Sequence, residues 1–422
     1  MSPLDHSSKQ STSHQPSVDD LLREITTQRS SIRTRVAFCG SRGLPANYGG
    51  FETAVDEISA RFVAEGYTCD VFCRRSSGSD SPPTHDGRNL VYVGGSKRRS
   101  LDTFVSSFQT GWHLWRHRKS YSRVFWFNNA NLPGVLMTAI ARIPMSVNTD
   151  GLEWRRAKWS WPFKAYYYVS SWLICRVCKS LVSDSHGIQN YYKRLFSAKT
   201  SFIPYGAPVL PDVSEKQQKE TLQQLNTERD RYFLQITRIE PDNLPLRIAQ
   251  AFRSSGVGRQ GFKLVIVGYR DATEYAQRLI AYDGYYGIQV RNAVYDQEVL
   301  YTLRKHCFCY VHGNSVGGTN PALLEAMATS PRVMAIDSEF SHEVLGEAGL
   351  YFDSEDIEPA FRTVLEFDEQ SAMMQRRIAR FYQWDAVAES YMRLADGRPA
   401  DYQPRPEIVE VRRRLPLSMA PQ

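Results

Sequence analysis

Short apolar runs recur along the chain, and longer stretches of helical periodicity separate them. The first run is VAFCG (36–40), followed by a Gly-rich loop. A helix is predicted from about Glu52 to Glu65, because Ala54, Ile58 and Phe62 fall at i, i+4 and i+8 on one face. CDVFC (69–73) and LVYVG (90–94) read as strands. A helix near 103–117 precedes RVFWF (123–127), and another near 132–142 precedes SVN (146–148). LVSDS (181–185) and SFIP (201–204) complete the series. Strands alternating with helices imply a parallel sheet covered on both faces.

A polar, charged stretch interrupts the pattern at 208–230, with prolines at its start, and predicts a linker at 211–230. A second series then begins: YFLQIT (232–237), KLVIVG (263–268), IQV (288–290), CFCYVHG (307–313), RVMAI (332–336) and GLYF (349–352). The chain therefore reads as two α/β units in series, 31–210 and 231–370. A ligand is expected between them, at the carboxyl ends of the strands. One helical segment is predicted at 371–396. A polar lead-in (1–30) and a Pro- and Arg-rich tail (397–422) are expected to be flexible.

At 422 residues the chain is long enough for two domains. No run of about twenty apolar residues occurs, so no transmembrane span is predicted. The N-terminus lacks the apolar core of a secretory signal, and seven scattered cysteines point to a reducing cytosol. Cys175 and Cys178 form a CxxC without a second pair at zinc spacing, so they read as buried helix cysteines. The net charge of +7 is unevenly placed: residues 151–200 hold nine Lys/Arg against Glu153 and Asp184. In 154–168 these cations interleave with Trp, Phe and Tyr. That mixture suits an anionic membrane surface or nucleic acid, or is simply a solvated face beside an aromatic helix.

Candidate chemistry concentrates in GNSVGGTNPALLEAM (313–327). Pro321 suits the first helical position, and Thr319 or Asn320 the N-cap. Gly317 and Gly318 let the backbone turn sharply and approach a ligand closely. The free N–H groups of such a first turn favour an anion, commonly a diphosphate. Glu325, one turn further in, is placed to accept hydrogen bonds from the vicinal diol of a ribose. The same pattern also describes an ordinary capped helix with Glu325 in an ion pair.

Three other loops follow strand ends. GSRGLPANYGGFETAVDEI (40–58) lacks both the GxGxxG spacing of a dinucleotide site and the Lys-Ser/Thr ending of a P-loop. In it Arg42 is a candidate anion contact, Gly49 and Gly50 border the donor side, and Tyr48 and Phe51 cover one wall of the cleft. In NTDGLEWRRAKW (148–159), Asp150 and Glu153 sit where an acid positions or deprotonates an acceptor hydroxyl, beside Trp154. Asp150 as a helix cap is the competing reading. In ITRIEPDNLP (236–245), Arg238 is placed to pair with phosphate oxygens.

Together GSRGLPANYGGFET, NTDGLEWRRAKWS, VSDSHGI, IPYGA, HGNSVGGTNPALLEAM and YQWDAVAESY resemble a retaining glycosyltransferase of family 4. More narrowly they resemble its bacterial rhamnosyltransferase-like branch with a DUF1972-type N-terminal domain. The resemblance spans about residues 34–394. It implies a GT-B fold: two Rossmann-like, doubly wound parallel-sheet domains facing a cleft, with a C-terminal helix crossing back onto the first domain. It implies a nucleotide-sugar donor whose diphosphate meets Gly317, Gly318, Thr319 and Asn320, whose ribose meets Glu325, and whose phosphates meet Arg238. Two positions depart from the family pattern. Asn243 stands where a lysine is usual, and Gly317 where a glutamate contacts the donor sugar. Asp150 falls where many members place a histidine near the reacting carbon, which makes Asp150, Arg238 and Glu325 the catalytic candidates.

The resemblance further implies no metal and no cofactor beyond the donor, with the first domain holding the acceptor through Arg42, Tyr48, Phe51, Glu153 and Trp154. The expected acceptor is a glycan or a sugar on a polyprenyl diphosphate, used in surface polysaccharide assembly. The expected place is the cytoplasm, with contact to the inner membrane face through 154–168 and none to nucleic acid. The preferred donor is dTDP-L-rhamnose, with UDP- or GDP-linked glucose, galactose or mannose as alternatives. A nucleotide-sugar epimerase and a non-catalytic binding protein are the rivals from other classes.

Overall fold

A computed structural model describes residues 34–46, 49–75, 82–95, 99–149, 151–156, 159–268, 273–400 and 402. The expected lead-in, and the tail beyond 402, lie outside them. The first half of the chain runs β1 (Arg35–Cys39), α1 (Gly50–Ala64), β2 (Thr68–Arg74), β3 (Thr84–His85), β4 (Arg88–Val93), α2 (Arg99–Arg116), β5 (Arg123–Phe127), α3 (Leu132–Ile140), β6 (Met145–Asn148), α4 (Trp161–Val177), β7 (Leu181–Ser183), α5 (His186–Phe196) and β8 (Thr200–Phe202). The second runs α6 (Glu215–Gln224), β9 (Tyr232–Ile236), α7 (Pro245–Ser255), β10 (Lys263–Gly268), α8 (Glu274–Ile280), β11 (Ile288–Asn292), α9 (Gln297–His306), β12 (Cys309–His312), α10 (Pro321–Thr329), β13 (Val333–Ile336), α11 (Glu339–Leu345), β14 (Leu350–Phe352), α12 (Glu358–Thr363), α13 (Ser371–Phe381) and α14 (Trp384–Ala395).

The strands form two sheets, in the orders β3-β4-β2-β1-β5-β6-β7-β8 and β11-β10-β9-β12-β13-β14. Every described pairing is parallel except β3–β4, a short hairpin at one edge. Strands covered by helices on both faces must be apolar throughout, which is why VFWF and LVIV appear as unbroken runs. Both sheets reverse direction at a switch point, β1/β5 in the first and β9/β12 in the second. That is where open α/β sheets leave a crevice for ligand. The architecture is the GT-B arrangement of two doubly wound domains.

Two boundaries differ from the sequence expectation. The predicted linker contains α6, started by a capping box in which Ser214 and Gln217 bond reciprocally. This helix belongs to the second domain: Leu222 is buried, and Gln218 Oε1 lies 2.7 Å from His306 Nε2 on α9. The predicted helix at 371–396 is two helices, broken at Tyr382 and Gln383. The first, α13, packs on α10 of the second domain, and α14 crosses back onto α1. There Tyr391 packs between Phe125 and Phe127, with centroids 5.3 and 6.1 Å away, and its hydroxyl accepts from Asn148 Nδ2 at 2.9 Å. Arg61 and Asp385 pair at 2.6 Å across the same junction.

All seven cysteines are free; six are buried and Cys175 is half-buried. Burial pushes every one of these thiols up. Among the described residues no helix is long and apolar enough to cross a membrane.

Candidate functional site

At the switch point of the second domain, the loops after β9 and β12 are laced together. Ser315 donates to the Asp242 carbonyl through its backbone N–H at 3.1 Å and its hydroxyl at 2.8 Å. Asn243 is buried: its Nδ2 donates to the Arg238 carbonyl at 2.8 Å, and its carbonyl accepts from Gln235 Nε2 at 2.9 Å. Asn243, expected as a donor contact, thus has its amide bracing the loop from inside. The Arg238 side chain is half-exposed, and its guanidinium lies 4.0 Å from Glu240, beyond hydrogen-bonding distance. Its charge is thus carried on a braced loop, without a tight partner in Glu240.

The 313–320 loop ends on α10, with Asn320 as N-cap accepting from Ala322 N–H at 2.9 Å and Pro321 in the first turn. Gly317 has φ +148°, a conformation that disfavours a side chain. Glu325, in the second turn, is paired through Oε2 with Arg304 of α9, whose side chain is buried. The ion-pair alternative raised by the sequence is therefore present. It does not close the site, since the Glu325 side chain keeps 30% of its surface exposed.

The first domain meets this loop directly. A Cβ on Gly50 would stand 3.0 Å from Pro321 Cγ, so the first turns of α1 and α10 abut. Gly49, the N-cap of α1, has φ +98°. Glu52 sits in the first turn of α1, buried, and accepts from the Arg42 backbone N–H at 2.8 Å; burial raises its carboxyl above the usual range. The Thr319 hydroxyl donates to the Asp184 carbonyl, and a Cβ on Gly318 would overlap the Asp184 carboxylate. One helix further on, Glu343 of α11 accepts from the N–H groups of His186 and Gly187 at 2.8 and 3.2 Å, at the N-terminus of α5. Burial pushes its carboxyl up to about 7 despite those two donors.

The acceptor-side candidates fare differently. Asp150 and Tyr48 lie outside the described residues. Glu153, expected on the acceptor side, is held by Arg156 at 2.5 Å and by Trp159 Nε1 at 2.7 Å. Trp154 is partly buried and packs among Tyr167, Tyr191 and Phe196. Phe51 is partly buried against Phe127, and Arg42 lines the loop that caps Glu52. Three residues were missed by sequence reasoning: Asp184 and Glu343, which make contacts across the domains, and Arg304, which pairs with Glu325. Asp184 lies within VSDSHGI, just after a strand, and that position was the available signal. Arg304 and Glu343 sit on ordinary helices and carry no local pattern.

The arrangement brings the first turns of α1 and α10 together at a Gly-rich loop, and Ser315 ties that loop to the one that carries Arg238. The free N–H groups of helix first turns suit an anion. A family model described as a domain of unknown function, DUF1972, matches residues 138–208. No curated protein matches the chain. Solved structures similar to it include a glycosyltransferase from Rickettsia africae, at 11% identity and TM-score 0.64, covering 87% of this chain and 98% of that one. HepE from Anabaena, solved with UDP and glucose, matches at 14% identity and TM-score 0.64, covering 86% and 100%. The E. coli trehalose-6-phosphate protein bound to UDP-2-fluoro glucose matches at 10% identity and TM-score 0.63, covering 86% and 99%.

Proposed function

We propose that the chain is a retaining, family 4-like glycosyltransferase that moves a hexosyl group from a nucleotide sugar to a hydroxyl of a glycan or lipid-linked sugar. L-rhamnosyl from dTDP-L-rhamnose is the first choice, and surface polysaccharide assembly the setting. The observation that carries the reading is the meeting of the α1 and α10 N-termini at the switch point of the second domain, on a loop that Ser315 ties to the loop carrying Arg238. The similar structures solved with UDP or a UDP-sugar support a nucleotide-sugar donor.

In this reading the diphosphate lies on the amides of residues 317–320, with Arg238 over its oxygens. Negative charge grows on the leaving diphosphate as the glycosidic bond breaks. Fixed amides and a guanidinium stabilise it without reorganising, an effect worth about 3 kcal/mol per well-placed donor. The leaving oxygen takes the acceptor's proton on the same face, so no protein nucleophile is needed and configuration is kept. Glu325 takes the ribose hydroxyls through the carboxylate surface that Arg304 leaves open. Closure of the two domains excludes water that would otherwise hydrolyse the donor. Charge neutralisation is assigned to amides and Arg238 rather than to a metal, and unchanged turnover in EDTA checks that assignment.

The test is nucleoside diphosphate release from dTDP-rhamnose, UDP-glucose, UDP-galactose, UDP-GlcNAc and GDP-mannose, with and without a lipid-diphosphate sugar acceptor. Acceptor-dependent release from one donor, reduced about 100-fold or more in Arg238→Ala, is expected. Release without acceptor that yields an isomerised sugar would make the protein an epimerase. No release and no donor binding would make it a non-catalytic binder.

A further inference from the structure

Two helices of the first domain turn large apolar side chains outward and small polar ones inward, although α4 also buries Tyr167 and Ile174. On α2 the buried positions are Ser106, Ser107, Thr110, Gly111 and Leu114, while Leu101, Phe104, Phe108, Trp112 and Trp115 are exposed. Those five fall at spacings of three and four, a continuous stripe along one face. On α4 Ser170 and Ser171 point in, while Trp161, Tyr168, Val169 and Trp172 point out, with Trp161 79% exposed. The inward serines have work to do: Ser107 donates to the Asn131 carbonyl at 2.9 Å, Ser170 donates to that of Asn129, and Ser171 accepts from Asn129 Nδ2 at 3.0 Å. Of the outward rings, Tyr168 also packs on Trp154 and Phe196, while Trp112 and Trp115 stack on each other on the exposed face. Between the two helices lies α3, in contact with both, and it ends on Ile140, 74% exposed. The three helices therefore make one layer whose outer face is aromatic and aliphatic, more than folding alone requires.

The charges on this layer are one-sided. Segments 99–119, 132–144 and 161–180 hold eight Lys/Arg and one acid, Asp102, which is paired with Arg74 at 3.1 Å. The helices cross between parallel strands and so run the same way. Their C-terminal ends gather Arg116, Arg118, Lys119, Arg142, Arg176 and Lys179 at one rim. Two of these cations lie over exposed rings, Arg118 over Trp115 at 6.0 Å and Arg176 over Trp172 at 5.6 Å. A groove of about 630 Å³ beside α2 is lined by Tyr92, Val93, Phe108 and Trp112, and also by Arg116 and His117. It offers apolar walls to a chain and cations to its headgroup.

We propose that the outer face of α2, α3 and α4 seats the protein on an anionic lipid surface. Exposed Trp and Phe beside Lys and Arg are the composition that partitions into the headgroup region, with the rings at the acyl boundary and the cations at the phosphates. A second copy of the chain is the poorer occupant, because two such faces would bring like charges together. The surface extends well beyond the 154–168 stretch singled out by sequence, in which Trp154 is partly buried. The inference stands apart from the transferase reading, since vesicle binding is measured without donor or acceptor.

The experiment uses the full chain and vesicles of phosphatidylcholine, alone or with 30% phosphatidylglycerol (about a third of the headgroups anionic), in co-sedimentation and in tryptophan fluorescence. At least ten-fold stronger partition onto the anionic vesicles is expected, with a blue shift of emission and weakening at high salt. The triple variant Phe108→Ser/Trp112→Ser/Trp172→Ser should lose at least ten-fold in partition. Arg116→Glu/Arg118→Glu/Lys119→Glu, which keeps every ring of the stripe, should do the same while melting like the parent. Absence of binding to anionic vesicles, or equal binding by both variants, would overturn the proposal. So would a dimer in sedimentation velocity that the triple serine variant dissolves while vesicles capture nothing, which would hand the face to a second copy.

Discussion

Gly50 and Pro321 begin helices in different domains and lie against each other, so that a methyl group on Gly50 would stand 3.0 Å from Pro321 Cγ. The contact brings two positive helix ends to one point. It also makes the closed arrangement depend on the absence of a side chain. Gly318 is the more demanding position, because a Cβ there would overlap the buried Asp184 carboxylate. Gly318→Ala is expected to leave each domain folded while costing about 1–3 kcal/mol of closure, from the overpacking strain. Turnover should fall roughly 10- to 100-fold, and small-angle scattering should report a larger radius of gyration.

Arg304 and Glu325 make any alanine scan of the site ambiguous. Removing the carboxylate leaves a buried guanidinium unpaired, so Glu325→Ala should lose about 2–3 kcal/mol of stability as well as donor affinity. The double variant Arg304→Met/Glu325→Gln separates the effects. It is expected to melt closer to the parent than Glu325→Ala does, yet still bind donor weakly by titration calorimetry. Recovery of both properties together would mean that Glu325 acts only through the ion pair.

Glu343 links closure to pH. Burial raises its carboxyl to about 7 in the closed molecule, Glu339 adds to the rise, and Arg377 with the His186 and Gly187 amides opposes it. Opened or unfolded, the group returns toward 4.5, so the closed form binds the extra proton between those values. Stability of the closed form should therefore fall as pH rises from about 4.5 to 7 and level off above, a change of about 3 kcal/mol at most. Glu343→Gln should flatten that slope in denaturant titrations at pH 5, 6, 7 and 8. A parent and variant with parallel pH profiles would remove Glu343 from the linkage.

The crossing helix α14 is held by contacts of unequal weight. The Arg61–Asp385 pair leaves Asp385 almost fully exposed, so Asp385→Ala should change stability by less than about 1 kcal/mol. Tyr391→Phe strands the Asn148 amide in a buried site and should lose about 1–2 kcal/mol. Trp384→Ala, emptying the space against Gly206, should lose about 3–5 kcal/mol. Thermal denaturation of the three variants should give that order.

Much of the fold was written in the period of the apolar residues. RVFWF and KLVIVG occupy their predicted strands to the residue, because a strand covered on both faces must be apolar throughout. The helix α6 was lost in a polar stretch because it buries only Gln218 and Leu222. Its capping residues Ser214 and Gln217 were the better signal. For the site, loops that follow strands were legible, and the glycines pointed to the turn at 313–320. The partners were not. That Arg156 and Trp159 hold Glu153, and that Asn243 is buried with its amide on the Arg238 carbonyl, could not be read from the sequence. Asp184 meets Gly318 across more than a hundred residues, a distance no local pattern can express. The stripe of rings on α2 shows helical spacing in the sequence, but spacing alone does not say which side of a helix faces the sheet.

Seven thiols, each held protonated and most of them sealed inside the sheets, leave the native surface chemically quiet toward maleimides. A cysteine introduced on each domain would then be the fast-reacting site for a dye, with no need to rebuild the core around serine. The opening of the cleft becomes a distance that can be followed one molecule at a time, as donor, acceptor or pH is changed.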